Sequence, residues 1–155
     1  MKKLFKLTSL LLLVTMLFNL VACSSFGKIS KALEDVGYAQ IQNEEESSDV
    51  ANDAKEDESV TKVYVFTNAE SLSLLEAAKI TLVTVIEFNA TEDLVEYFKD
   101  NNTLQGIVED IKEDGTAEEI YNELKDAGLA CGNCLIAPLG LDAKNVLNAI
   151  KELNK

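Results

Sequence analysis

Three side chains in this 155-residue sequence are candidates for covalent chemistry, and all are cysteines: Cys23, Cys131 and Cys134. Cys131-Gly132-Asn133-Cys134 is a C-x-x-C, a spacing that keeps two thiols within reach of each other. Three readings suit it: a structural disulfide, a redox-active dithiol, or thiols that stay reduced or bind a metal. A zinc site usually takes four ligands, mostly Cys and His, and the chain has no His. Carboxylates could complete a site, but no spacing points to them, so neither a metal nor a cofactor is expected. The leading expectation is a disulfide between Cys131 and Cys134 that fixes a local turn. Across so short a loop it would stabilise little, because the entropic gain grows with loop length.

Other catalytic classes lack their residues. Without His there is no ordinary general base near neutral pH and no Ser-His-Asp or Cys-His pairing. The sequence also lacks Arg, the bidentate clamp for carboxylate and phosphate. Glu92-Asp93, Glu118-Glu119 and Asp110 with Asp114 are carboxylate pairs, but an acidic chain produces such pairs by chance. They fall on polar helix faces or in first turns, where acids suit the helix dipole. No Gly-rich phosphate loop follows either main apolar run; Thr67-Asn68-Ala69 and Asn89-Ala90-Thr91 contain no Gly. The formal charge of −13 opposes binding to nucleic acid, which is excluded as a partner.

Cys23 has a different setting. Lys2, Lys3 and Lys6 form a basic head, and Leu7 to Ala22 is a mostly apolar run broken by Thr8, Ser9, Thr15 and Asn19. A charged head and a short apolar run describe a secretory signal; a bilayer span needs about 20 apolar residues. Leu20-Val21-Ala22-Cys23 ends the run, and here residues 1–25 resemble the signal peptide and lipobox of bacterial lipoproteins. The resemblance implies cleavage before Cys23, a diacylglycerol on its thiol, and N-acylation with a palmitate-type chain. It also implies a place on the extracytoplasmic face of the cell membrane. Residues 1–22 carry three lysines and no acid, so their removal would deepen the formal charge from −13 to −16. Membrane contact is expected through the lipid.

The remaining elements must position the thiols. Phe26, Ile29, Leu33 and Val36 mark a helix over Ser25–Val36 that stops at Gly37, with a weak strand at Tyr38–Gln42. Asn43 to Ser59 holds eight acids against one lysine and reads as an acidic disordered linker. Lys62–Phe66, Thr81–Phe88 and Cys134–Ala137 read as buried strands, the last closed by Pro138. Helices are expected over Ala69–Lys79, after Asn89, around Leu104–Ile111, over Ala117–Ala127 and after Asp142. Thr116 with Glu119 forms a capping box, and Gly128 ends that helix. A helix between the first two strands suggests a parallel crossover.

The expected organisation is therefore a signal peptide over 1–22, then a lipidated N-terminus with a short helix and weak strand over 23–42. The linker over 43–59 follows, and one α/β domain fills 60–155. The domain is expected to hold a three- or four-stranded, mostly parallel sheet packed with helices. The C-x-x-C resembles that of thioredoxin-like proteins, but only over four residues. There the motif follows a strand and opens a helix; here it follows a helix and precedes a strand. The functional expectation is a lipid-anchored, non-catalytic binding module whose partner is an envelope protein or small ligand. The alternative is an envelope thiol-disulfide oxidoreductase using Cys131 and Cys134.

Overall fold

The structure, a computed structural model, describes residues 24–41, 49–69, 80–105, 111 and 115–155. Its centre is the most apolar run of the folded chain. Leu82–Phe88 forms β3, with Val83, Thr84, Val85 and Ile86 all buried. On one side it pairs with β2 (Val60–Thr67), on the other with β5 (Cys134–Leu139). Two short strands complete the order β1-β2-β3-β5-β4: β1 (Ala39–Gln40) beside β2, and β4 (Ala130–Cys131) beside β5.

All four pairings are antiparallel, so the expectation of a mostly parallel sheet of three or four strands is overturned. The sign that misled is burial on both faces, which parallel sheets usually show. Here an antiparallel sheet is covered twice. Alternate residues of each strand serve opposite cores. Phe66, Val83, Val85, Cys134 and Ile136 meet Ile29 and Leu33 of α1 (Ser25–Asp35) and Val146 and Ile150 of α6 (Ala143–Leu153). Ile86, Phe88, Leu135 and Ala137 meet the other helices: α2 (Asp49–Lys55), α3 (Thr91–Asp100), α4 (Asn102–Gln105) and α5 (Ala117–Ala127).

The helix expected over Ala69–Lys79 lies almost wholly outside the described residues.

The linker reading also changes. Residues 42–48 are outside the described set, but Asp49–Lys55 is the helix α2, with Val50, Ala51 and Ala54 buried. One valine and two alanines suffice because small side chains let the helix lie close to β2 and β3. Nor does the stretch separate an N-terminal arm from a domain. Ile29 and Leu33 are fully buried in the core, worth about 1.5–3 kcal/mol each, and β1 extends the same sheet. Residues 24–41 belong to the fold.

Helix ends follow local chemistry. Ser24 caps α1 by accepting from the Gly27 amide at 3.1 Å. Thr116 and Glu119 make the reciprocal capping box of α5, and Gly128 closes that helix at φ 81°. Asn89 does not cap α3: the cap position is Ala90, and the Asn89 side chain accepts from the Thr61 hydroxyl instead. Pro138 does not end its strand but pairs with Val83 inside β5. It is tolerated because the two-residue β4 reaches only Cys134 and Leu135, leaving the proline's other edge without a ladder.

Candidate functional site

Cys131 and Cys134 sit directly opposite each other as the closing pair of the β4–β5 hairpin. The turn is Gly132-Asn133, with Gly132 at φ 59° and no positive φ at Asn133. A glycine at the first turn position is the pattern of a type II′ hairpin. Asn133 locks the turn to the central strand: its side-chain amide donates to the Phe88 carbonyl at 2.6 Å, and its own carbonyl accepts from the Phe88 amide at 2.9 Å. Tyr121 on α5 donates from its hydroxyl to the Gly132 carbonyl at 2.8 Å. A Gly-Asn pair between two apolar runs is a hairpin signal, so the turn was recoverable from the sequence. Tyr121 was not, because nothing local marks a tyrosine eleven residues away as its partner.

Both cysteines are free thiols and buried. Directly opposed residues of an antiparallel pair lie about 4.5–5.5 Å apart at Cα, within the range that a disulfide spans. The surroundings hold the thiols neutral. Burial, then the Glu87 carboxylate and the neighbouring Cys131, push Cys134 up to about 12. Burial also raises Cys131, against the opposing charges of Lys28 and Lys125. Reactive dithiols need the reverse, a thiolate favoured by positive surroundings.

The motif lies in a strand–turn–strand, not at the start of a helix that follows it. A helix N-terminus does reach it from far away in sequence. A Cβ on Gly132 would stand 1.8 Å from the Ser25 hydroxyl oxygen and 2.7 Å from the Ser25 Cβ. The first residue of α1 therefore rests on the turn. A helix N-terminus favours a thiolate, whereas burial raises Cys131 and outweighs the nearby charges of Lys28 and Lys125. Phe26 follows Ser25 and stacks on Tyr64, with ring centroids 3.7 Å apart and planes 15° apart. The Tyr64 hydroxyl donates to Glu87 at 3.4 Å, and burial with the Glu87 charge pushes this phenol up to about 12.

Cys23, the third candidate, lies outside the described residues, one position before the α1 cap. The opposite end of the sheet carries a polar junction. Tyr38 donates to the Asp142 carboxylate at 3.0 Å, the Asp142 amide donates to the Thr81 hydroxyl at 3.0 Å, and the Thr81 amide donates to the Asn68 side chain at 2.9 Å. Asp142 holds the cap position of α6, as expected, yet its side chain serves Tyr38 and Asn145 rather than a helix amide.

A cleft of about 390 Å³ is acidic: Asp57, Glu58, Asp93, Glu96 and Asp100 line it with Ser59, Tyr97 and Asn101. Asp57 is already engaged by the amide and hydroxyl of Ser59. No group of three or more His, Cys, Asp or Glu among the described residues is arranged to hold a metal ion. No described helix is long and apolar enough to cross a membrane. Comparison with protein-family models, with curated proteins and with solved structures finds no match.

Proposed function

We propose that this chain is a lipid-anchored extracytoplasmic protein of the bacterial cell membrane, attached through Cys23. Its folded part is a non-catalytic module that binds an envelope protein or a small ligand. The observation that carries the reading is Leu20-Val21-Ala22-Cys23 at the end of a basic head and a short apolar run. The environment of Cys131 and Cys134 weighs against the thiol-disulfide enzyme, because both thiols are buried and held protonated. In this reading the pair is structural and closes the hairpin.

Metabolic labelling with a palmitate analogue, followed by mass analysis of the N-terminal peptide, tests the anchor. The wild-type chain is expected to carry label on a peptide beginning at Cys23, and Cys23→Ala to carry none. Label retained in Cys23→Ala, or a wild-type chain without lipid, would overturn the proposal.

A further inference from the structure

The geometry points to a defined orientation: the fold sits flush on the bilayer, with the Cys131–Cys134 hairpin and the start of α1 toward the lipid and the Gly140–Asp142 end outward. This rests on lipidation of Cys23. Adjacent Cα atoms are about 3.8 Å apart, so a lipidated Cys23 leaves a single peptide link between the anchor and Ser24. Ser24 is already fixed, since its hydroxyl oxygen caps α1. Ser25 rests against Gly132, and Ile29 and Leu33 bury α1 in the core. No spacer intervenes. The acidic stretch that reads as a tether comes after α1, between elements of the same sheet, and cannot hold the fold away from the membrane.

The lipid-facing end mixes aromatic and acidic surface. The Asn89 amide donates to the Ser59 carbonyl and the Phe88 amide to that of Asn133, so the cleft of Asp57, Glu58 and Asp93 lies at this end too. The contact therefore suits a zwitterionic rather than an anionic lipid surface. Phe26, Tyr64 and Tyr121 are half-buried around the hairpin, and Tyr carries the apolar body and polar tip that suit a membrane–water interface. Lys28 is exposed one turn into α1 and close enough to act on Cys131. The six residues of β5 place about 20 Å between the hairpin and the far end. Leu141, 79% exposed there, faces away from the bilayer and toward other envelope components.

The chain has no Trp, so single-Trp reporters are unambiguous. Lipidated full-length Lys28→Trp, Lys31→Trp and Leu141→Trp would be placed in phosphatidylcholine vesicles with and without brominated phosphatidylcholine. All three positions are exposed, and thermal melting checks each fold. The expected result is loss of about half the emission for Lys28→Trp, a smaller loss for Lys31→Trp one turn along the same face, and none for Leu141→Trp. Equal quenching at all three positions, or none at any, in protein that still floats with the vesicles would overturn the orientation and leave lipidation standing. Protein that carries no lipid and does not float would remove the anchor itself.

Discussion

The two ends of the sheet are closed by the same device and finished with opposite chemistry. Each has a glycine in the left-handed half of backbone space lying under a neighbouring segment: Gly132 at φ 59° beneath Ser25, and Gly140 at φ 133° against Ile80 and Thr81. Around Gly132 the partners are thiols, aromatic rings and the first turn of a helix. Around Gly140 they are a tyrosine, a carboxylate and a threonine joined by hydrogen bonds. The difference lies in what can yield. At Gly140 the close neighbours include backbone of the lead-in to the central strand, whereas at Gly132 they are the side chain of one serine. The far end is thus rigid by construction. The hairpin end is held by Asn133 and Tyr121 as well, and α1 meets it through a side chain that can turn aside.

Alanine at the two glycines separates these cases. Gly140→Ala would put a Cβ 2.7 Å from the Ile80 carbonyl oxygen and 2.9 Å from the Thr81 Cα. Neither can retreat without disturbing the Leu82–Leu139 pairing. Destabilisation of about 3 kcal/mol or more is expected from backbone strain and overpacking together, measured by urea denaturation. A loss below 1 kcal/mol, on the order of a surface substitution, would show that this end yields after all.

Gly132→Ala is expected to cost less, about 2 kcal/mol, of which about 1 is the left-handed backbone and the rest the clash with Ser25. Removing the obstacle should return the second part: Gly132→Ala with Ser25→Gly should recover about 1 kcal/mol relative to Gly132→Ala, with Ser25→Gly alone as the control. Failure to recover would mean that α1 does not rest on the hairpin. It would weaken the flush placement with it.

What could be read in the sequence divides along the same lines. Short-range chemistry was legible. The apolar run of β3, the capping box of Thr116 and Glu119, the glycine stop at Gly128 and the buried stripe of α1 are each specified within a few residues. Pairing direction was not, because strands buried on both faces lose the alternation that separates the two sheet types. The helix α2 was missed because the acids around it are conspicuous, while its contact surface is one valine and two alanines. At the hairpin, the Cys131 and Cys134 spacing was plain. The partners that define the environment, Ser25, Tyr64 and Tyr121, come from three elements that only the fold brings together.

Tyr38→Phe probes the polar end more gently. It deletes the hydroxyl that reaches Asp142 while keeping the ring in the core. Asp142 keeps its bond from Asn145, so no carboxylate is stranded and the expected loss is about 1 kcal/mol. A loss well above that would show that the Tyr38–Asp142–Thr81 chain acts as one unit, which Thr81→Val in the same background would test.

Alkaline titration tells the buried thiols from the buried phenols at no cost to stability near neutral pH. Burial raises Cys134 from 9.0 to about 12 at the hairpin end and Tyr38 from 10.0 to about 12 at the far end. Each folded group therefore keeps a proton that its unfolded counterpart has released. The stabilisation is complete below the unfolded value and is lost as pH rises through the folded one. Folding stability should hold to about pH 9 and fall from there toward pH 12. The earlier part of the fall belongs to the thiol and should flatten in Cys134→Ala. The part beginning near pH 10 belongs to the phenols and should shrink in Tyr38→Phe and Tyr64→Phe. Closing Cys131 and Cys134 with an added disulfide oxidant transfers two electrons to it and releases both thiol protons. It should abolish the thiol part alone, and by the loop-entropy relation add no more than about 2 kcal/mol. A protein purified from the envelope whose stability begins to fall only near pH 10, and which gains the earlier fall on reduction, carries the bridge as its working state. If reduction changes nothing in that window, the pair works as buried thiols and the hairpin is held by Asn133, Tyr121 and Ser25.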